Sequence, residues 1–169
     1  MSVSLREFVE YLDSFEVRAP KDRDGLPPFY IFDGGVLRAS EGDGDSALSG
    51  DVAVPLGFES LARFPVYPQF AFGPAGSGAP FHRHCDAVNG LVFGLKRWWL
   101  LPPEDAFYTR EHPSTLVDSS GRAAGEHARA LQCTQHGGDL LFVPQSWGHA
   151  VLNEAESVAA AFEFDRGDC

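Results

Sequence analysis

The first segment of the chain has the pattern of an amphipathic helix. Ser4 and Glu7 are spaced as a capping box, in which each side chain accepts a hydrogen bond from the other residue's backbone N–H. Apolar residues then recur at i, i+3, i+4 and i+7, namely Leu5, Phe8, Val9 and Leu12. This spacing predicts a helix that packs one face against the rest of the domain.

Short apolar stretches between turn residues dominate the remainder of the chain. FYIF (29–32) is followed by Asp-Gly-Gly and predicts a short strand. From residue 67 onward come YPQFAF, APFHRH, GLVFG, KRWWLL, LQCT, DLLFVP, WGHAVLN and SVAAAFEF. Many short strands with regular turn signals indicate a β-sandwich or barrel. We predict one domain over 1–169, with a barrel core at about 67–164 and the helix and lead-in strand within 1–66.

Two polar stretches interrupt this pattern. The acidic, Gly- and Ser-rich stretch EGDGDSALSGD (41–51) is predicted to be a solvated surface loop. The polar stretch between KRWWLL and LQCT is too long for a hairpin loop, and we predict that it is partly helical.

The charge balance narrows the classes of partner. With 13 basic and 24 acidic residues the net charge is −11, which argues against nucleic acid or an anionic membrane, since neutralising phosphates requires clustered Lys and Arg. A basic peptide would suit such a surface. No apolar run approaches the ~18 residues of a membrane span, and the first residues lack the pattern of a secretory signal. We therefore expect an intracellular protein, either cytoplasmic or nuclear.

The cysteines also indicate an intracellular protein. Cys85, Cys133 and Cys169 are odd in number and lack the spacing of a disulfide framework. They are predicted to be reduced thiols.

The stretch PFHRHCD (80–86) has the composition of a metal site. Side chains alternate along a strand, so His82 and His84 share a face, and Asp86 joins them if the strand continues that far. The metal-binding pair is therefore HxH or HxD, or the stretch binds nothing. His149 lies on a remote predicted strand, and two ligands from one strand with a third from another form a metal site in the mouth of a barrel.

The surroundings of these histidines resemble the two cupin motifs. GSGAPFHRH (76–84) has the Gly-to-His spacing of the first motif, and GDLLFVPQSWGHAVLN (138–153) is similar to the second. Two positions depart from the cupin pattern. Ser146 stands where cupins have Gly, and Asn89 falls near the place of the usual Glu ligand.

A closer resemblance is to the JmjC-domain family, in particular its small JmjC-only oxygenases. GPAGSGAPFH (73–82) resembles the entry to the family's metal-binding strand, and NGLVFGLKRWWLLPP (89–103) resembles the segment that follows it. The stretch at 138–153 is similar to the family's distal-histidine segment, and PPFYIFD (27–33) matches its lead-in strand. The resemblance extends from about residue 27 to 164.

This resemblance implies an iron(II)- and 2-oxoglutarate-dependent oxygenase. The implied fold is mostly β, a double-stranded β-helix of the jelly-roll or cupin type, with an N-terminal helix and a few short flanking helices. The family's first and last metal-binding histidines map onto His82 and His149. The middle ligand, Asp or Glu in the family, is His84 here, and Asp86 is the alternative carboxylate ligand.

The resemblance also implies a co-substrate site. Lys96 matches the family's lysine for the distal carboxylate of 2-oxoglutarate, and Asn89 and Asn153 are implied to form hydrogen bonds to the co-substrate or to the metal ligands. Ala79 and Ala161 stand where related proteins often carry hydroxyl residues that help to hold the co-substrate.

The remaining candidates are assigned more ordinary roles. Trp98 and Trp147 are expected in the pocket wall or the core. His112 and His136 have polar neighbours and are expected at the surface. Cys85 alternates away from the site and is expected to be a small buried residue.

Three functions follow as hypotheses. The first is an iron(II)/2-oxoglutarate oxygenase that hydroxylates a protein side chain, with demethylation less favoured because no aromatic cage is visible. The second is a non-catalytic JmjC-like scaffold, which His84 and the two alanines favour. The third is a cupin metalloenzyme with three histidine ligands that does not use 2-oxoglutarate.

Overall fold

The structure is a computed structural model that describes residues 4–17, 27–35, 37, 50–61, 66, 68–115 and 129–167. Within these residues lie one α-helix and nine strands: α1 (Leu5–Val17), β1 (Ile31–Asp33), β2 (Gln69–Gly73), β3 (Gly78–His82), β4 (Asp86–Phe93), β5 (Leu95–Leu101), β6 (Leu131–His136), β7 (Leu140–Val143), β8 (Gly148–Asn153) and β9 (Ser157–Phe164). Single 3-10 turns occupy Glu59–Leu61 and Pro113–Thr115. The prediction of a mostly β chain with an N-terminal helix is confirmed.

The strands form two antiparallel sheets. One has the order β1-β2-β9-β4-β7 and the other the order β3-β8-β5-β6. From β2 to β9 most successive strands lie in opposite sheets, so the chain winds around a common axis. This is the double-stranded β-helix that the resemblance implied, and the fold prediction is confirmed.

Left-handed residues mark several crossings between the sheets. Gly94 (φ 100°) joins β4 to β5, and Gly138 (φ 97°) lies between β6 and β7. Ser146 (φ 65°) joins β7 to β8 and is the one non-glycine residue with positive φ in the described ranges. The cupin pattern has Gly at this position, and the backbone here keeps the conformation that Gly adopts without steric cost.

Helix α1 is capped as the sequence predicts. The Ser4 N–H donates to Glu7 Oε2 at 2.7 Å, and the Glu7 N–H donates to Ser4 Oγ at 3.3 Å. Phe8 is buried and packs edge-on against Phe72 of β2, with 5.5 Å between ring centroids. Leu12 is also buried, whereas the other two members of the apolar stripe, Leu5 and Val9, are exposed.

Apolar clusters between and around the sheets hold the barrel in shape. Trp98 and Val151 of one sheet pack with Val143 of the other. Phe81, Trp99 and several small residues form a second cluster. A third joins β4 and β9 to the segment before β2, and its members are Leu37, Val88, Ala160, Phe162, Phe164 and the partly buried Val52, Val54, Phe58, Leu61, Val66 and Phe70. The first cluster fixes the spacing of the two inner faces, between which the site lies.

The strand predictions hold along the chain, although the termini of the strands differ. β3 ends at His82, two residues before the predicted end of APFHRH. In the polar stretch, the residues described between 102 and 115 contain a single 3-10 turn, and 116–128 lie outside the described residues. The acidic stretch 41–51 is described at its last two residues alone, which form a turn. No described helix has the length and apolar character needed to cross a membrane.

The prediction of three reduced thiols is wrong for Cys85. This residue is buried, as expected, and it is disulfide-bonded, whereas Cys133 is a free thiol. A disulfide requires a specific approach of two Cys side chains in the fold, which spacing along the sequence does not reveal.

Candidate metal centre and adjoining cavity

Three histidines meet at one end of the barrel. His82, His84 and His149 each offer a ligand nitrogen, and these atoms lie within 4.8 Å of one another. Their ring centroids are 4.2 Å apart for His82–His149, 4.6 Å for His84–His149 and 5.5 Å for His82–His84. Nitrogens bound at roughly 2.1 Å to one ion are about 3–4 Å apart. Small ring rotations would therefore bring all three onto one metal.

Backbone carbonyls fix the tautomer of each ring. Nδ1 of His82 lies 2.7 Å from the Pro80 carbonyl oxygen, and Nδ1 of His149 lies 3.1 Å from that of Trp147. Nδ1 of His84 is 2.8 Å from the Cys85 carbonyl oxygen. Because a carbonyl only accepts, each Nδ1 carries the proton and each Nε2 keeps a lone pair, which is the state of a metal-binding imidazole. The donor set therefore fits a divalent transition metal.

Close packing of two strands brings the first and last histidines together. A Cβ on Gly78 would collide with the Val151 carbonyl oxygen, so only glycine lets β3 lie this close to β8. A one-residue irregularity in β3 follows, after which His82 is the direct cross-strand partner of His149. His84 lies beyond the end of β3, so strand alternation does not explain its approach to the other two rings.

Burial keeps His82 and His149 neutral. Burial is the largest cause that lowers the pKa of His149, to about 3, and His82 and His84 lower it further by charge repulsion. Burial also lowers the pKa of His82, against smaller raising effects of the Pro80 carbonyl and Glu163. Metal binding at neutral pH would therefore displace no proton from either ring.

Asp86 is engaged elsewhere. One carboxylate oxygen accepts a hydrogen bond from the Gln145 N–H at 2.7 Å, and the other pairs with Nη2 of Arg166 at 2.5 Å. Its side chain is only 4% exposed, and it is not a member of the histidine cluster. Asp86 is the first residue of β4 and ties that strand to the loop that leads into β8.

A cavity of about 330 Å³ adjoins the histidines, between the inner faces of the two sheets. Its lining is mostly apolar and comprises Tyr30, Phe32, Gly78, Ala79, Pro80, His82, His84, Ala87, Val88, Asn89, Trp98, Val143, His149, Val151 and Ala161. Both alanines that stand at hydroxyl positions of the family thus face the cavity. The volume is that of a small-molecule site.

Lys96 is fully buried beside this cavity. Its Nζ donates to Asn153 Oδ1 at 2.7 Å and lies 5.3 Å from the centroid of the Tyr30 ring. Asn153 in turn donates to Ser77 Oγ at 2.9 Å. No described carboxylate pairs with the ammonium group, and burial lowers the pKa of Lys96 to about 8. Lys96 itself is not a lining residue of the cavity, whereas its neighbour Tyr30 is.

Two further polar side chains border the cavity. Asn89 is 7% exposed, and its Oδ1 is buried without a hydrogen-bond partner in the described structure. Trp98 lines the cavity and donates from Nε1 to Gln135 Oε1 at 2.9 Å, while Gln135 Nε2 donates to the Asn89 carbonyl oxygen at 2.9 Å. The amide of Gln135 thereby locks a wall residue of one sheet to a strand of the other.

The remaining candidates lie off the cavity. Trp147 is not among the lining residues; it packs on the cluster that contains Trp98 and Val151. His136 is exposed as expected. His112 is half-buried, with an unpartnered Nε2, so its assignment to the surface is only partly correct.

Three residues near the site were not predicted. Tyr30 precedes β1 and reaches the cavity because β1 adds to the edge of the five-stranded sheet. Gln135 joins through the pairing of β6 with β5, and Glu163 lies 4.0 Å from His84 through the pairing of β9 with β4. Each depends on strand order, for which the sequence carries no local signal.

Several known proteins are similar in sequence to this chain. It is 38% identical over 106 residues to human JmjC domain-containing protein 8, covering 62% of this chain and 40% of that protein. It is 29% identical over 170 residues to the bifunctional arginine demethylase and lysyl-hydroxylase psr-1 of Caenorhabditis briggsae, covering 81% and 40%. It is 35% identical over 103 residues to the human 2-oxoglutarate and iron-dependent oxygenase JMJD4, covering 52% and 24%.

The chain spans 40% or less of the length of these relatives. No protein-family model matches it. The relatives come from vertebrates and nematodes. The barrel, in which β3 and β8 pair the histidines, is the fold that the family resemblance implied. Over the aligned regions the chain is similar in sequence to proteins of the JmjC type.

Proposed function

We propose that this chain is an iron(II)- and 2-oxoglutarate-dependent oxygenase that hydroxylates a protein side chain. One observation carries the proposal: a cluster of three histidines opens onto a cavity that a fully buried lysine adjoins. A metal site and a site for an anion are thus neighbours in one barrel.

The three histidines would hold the metal through Nε2. His82 and His149 are paired across β3 and β8, and the carbonyl oxygens at their Nδ1 atoms keep both rings oriented before any ion arrives. Iron(II) with 2-oxoglutarate would supply the activation of O2, with decarboxylation of 2-oxoglutarate to succinate. The chain itself orients the rings and limits the access of water.

Lys96 would pair with the distal carboxylate of 2-oxoglutarate. A buried ammonium without a carboxylate partner is unfavourable, and an anionic ligand would restore the balance of charge. Asn153 holds the ammonium in place by accepting one of its hydrogens. The unpartnered Oδ1 of Asn89 and the phenol of Tyr30 are further polar groups at the cavity, and they would substitute for the hydroxyls absent at Ala79 and Ala161.

Apolar residues make up most of the remaining wall. Val143 and Val151 face each other from opposite sheets next to Trp98. Such a lining excludes water from the space next to the metal, which strengthens electrostatic contacts and prevents unproductive side reactions. The cavity therefore favours a reaction that must be shielded from solvent.

A protein substrate is the class that the relatives favour. The relative psr-1 is named for arginine demethylation and lysyl hydroxylation. The net charge of −11 would attract a basic peptide.

A second candidate is a cupin metalloenzyme with three histidine ligands that does not use 2-oxoglutarate. The absence of any described carboxylate from the histidine cluster favours it. In that enzyme Lys96 would have no required role. A non-catalytic scaffold would not bind 2-oxoglutarate, and it would bind a partner or a structural metal.

Two features of the chain favour different cellular compartments. The sequence favours a cytoplasmic or nuclear protein, whereas the disulfide at Cys85 favours an oxidising compartment. We infer the latter, because a disulfide in a reducing compartment would be opened by glutathione and thioredoxin. Non-reducing electrophoresis after blocking free thiols at cell lysis tests this inference, and a fully reduced Cys85 would contradict it.

Release of succinate from 2-oxoglutarate, with iron(II), ascorbate and a library of basic peptides, tests the proposed function. Lys96→Met removes the ammonium and should abolish turnover, and His149→Ala should do the same by removing a ligand. Arg97→Met is the matched control, since Arg97 is the next residue of β5, points to the opposite face and pairs with Glu154.

The outcomes separate the candidates. Turnover in the wild type and in Arg97→Met, with loss in the other two variants, supports the oxygenase. A metal-bound wild type that neither binds nor turns over 2-oxoglutarate supports the three-histidine cupin enzyme or a scaffold with a structural metal. A wild type that binds neither metal nor 2-oxoglutarate supports the scaffold.

A further inference from the structure

Glu163 brings a carboxylate to the histidine cluster from a strand that carries none of the three ligands. Its Oε1 lies 4.0 Å from Nδ1 of His84, and its side chain is 39% exposed. Side chains alternate along β9, so Glu163 shares a face with Ala161, which lines the cavity. Its cross-strand partner is Ala87, a small residue that also lines the cavity.

This carboxylate has no competing cation among the described residues. No lysine or arginine in the described ranges pairs with it, and its described neighbour is the His84 ring, at 4.0 Å. Asp86, which is close in sequence to His82 and His84, is already paired with Arg166. Glu163 is therefore the acidic group best placed to act on this cluster.

The charge of a three-histidine site explains why a carboxylate is needed. Three neutral imidazoles leave a divalent ion with its full charge of +2, whereas two histidines and one carboxylate reduce it to +1. In a partly desolvated site an uncompensated charge is costly. A carboxylate next to a ligand ring lowers this cost without touching the ion.

We propose that Glu163 is a positioning residue of the metal centre that acts through His84. This inference rests on the proposed metal site. The Glu163 carboxylate shares the Nδ1 side of His84 with the Cys85 carbonyl, favours the tautomer that leaves Nε2 free, and supplies the negative charge that the HxH sequence lacks. The carboxylate that the family carries within its metal-binding motif is thus replaced by one on β9.

Metal binding would strengthen this contact. An imidazole bound to a cation through Nε2 carries more positive charge, so its electrostatic attraction to a carboxylate near Nδ1 becomes stronger. Partners of this kind are typically worth roughly tenfold to a hundredfold in metal affinity. The effect should therefore be visible in metal binding alone, without turnover.

The experiment titrates the metal-free full-length chain with Co(II) in the absence of O2, recording heat and the visible absorption spectrum. Glu163→Gln removes the charge and keeps the size, and Glu163→Asp keeps the charge with a shorter reach. Glu156→Gln is the matched control: it makes the same change of charge at the residue just before β9, roughly 23 Å away along the strand. Circular dichroism verifies that every variant is folded.

We expect Glu163→Gln to bind Co(II) at least tenfold more weakly than the wild type, with Glu163→Asp between the two and Glu156→Gln within twofold of the wild type. The positions and intensities of the Co(II) bands should be unchanged, because the three ligands stay the same. Equal affinity in the wild type and Glu163→Gln would overturn the inference, and so would a change in the bands, which would make Glu163 a direct ligand. A wild type that binds no Co(II) would instead contradict the proposed function.

Discussion

The carboxylate of Asp86 accepts a hydrogen bond from the backbone N–H of Gln145 at 2.7 Å, while its other oxygen pairs with Arg166. The next residue, Ser146, donates its N–H to the His84 carbonyl oxygen at 2.9 Å. These two contacts attach the β7–β8 loop to the backbone around the histidines. Asp86 therefore shapes the site by holding the loop that precedes His149.

Asp86→Asn should destabilise the fold and leave the metal site intact. The amide oxygen can still accept from Gln145, but the ion pair with a half-exposed arginine is lost, which costs about 1–2 kcal/mol of unfolding free energy. Urea unfolding measures this cost, and a Co(II) titration should give an affinity within threefold of the wild type. Loss of Co(II) binding with unchanged stability would identify Asp86 as a ligand.

The buried lysine gives stability a specific dependence on pH. Its folded pKa of about 8 lies below the unfolded value of 10.5, so between these values the unfolded chain binds more protons and stability rises with pH. The destabilisation is fully present below pH 8. It should decrease by up to ~1.4 kcal/mol per pH unit as the pH rises above 8.

Urea unfolding of the ligand-free protein at pH 7.5, 8.5 and 9.5 measures this slope. The range stops at 9.5 because Tyr30, whose pKa burial raises, would add an opposite slope above pH 10. Lys96→Met should be more stable than the wild type at pH 7.5, and its stability should not rise between pH 7.5 and 9.5. An identical slope in both proteins would show that Lys96 is not the group responsible.

Asn89→Leu should have opposite effects on stability and on ligand binding. Removing a buried acceptor without a partner should stabilise the ligand-free protein by about 1–2 kcal/mol, since a hydrocarbon of similar size replaces an unsatisfied polar group. The same change should weaken binding of 2-oxoglutarate in the presence of Mn(II), measured by calorimetry. If both quantities fall together, Asn89 is a structural residue with a partner in the folded protein.

Ser146 should tolerate glycine far better than a β-branched residue. At φ 65° the left-handed backbone destabilises a residue with a side chain by about 1–2 kcal/mol. Ser146→Gly removes this cost, but glycine also gives the unfolded chain more conformational entropy, which offsets part of the gain. We expect Ser146→Gly to be neutral or slightly stabilising and Ser146→Val to be destabilised by at least ~1 kcal/mol relative to it. If chemical unfolding shows that Ser146→Val is more stable than Ser146→Gly, the left-handed backbone conformation at Ser146 is contradicted.

The strands and two of the three histidines could be predicted from the sequence. Short apolar stretches between turn residues predicted β2 to β9, because turn residues end a strand through local backbone preferences. The lead-in to His82 and the segment around His149 identified those residues by motif. His84 was selected by alternation, although it lies beyond the end of β3; its position comes from the loop instead.

Other features required the folded chain. Tyr30, Gln135 and Glu163 approach the cavity through strand order and register, which are long-range properties. The disulfide at Cys85 and the ion pair of Asp86 with Arg166 depend on distances between segments that are far apart in sequence. Spacing along the chain gives no signal for such contacts.

The most direct test of the central claim is a crystal structure of the protein with Mn(II) and an unreactive analogue of 2-oxoglutarate. The account predicts one anomalous peak within bonding distance of Nε2 of His82, His84 and His149, with the distal carboxylate of the analogue on Lys96. A peak bound by Asp86 in place of His84, or an analogue that leaves Lys96 without a carboxylate, would contradict it.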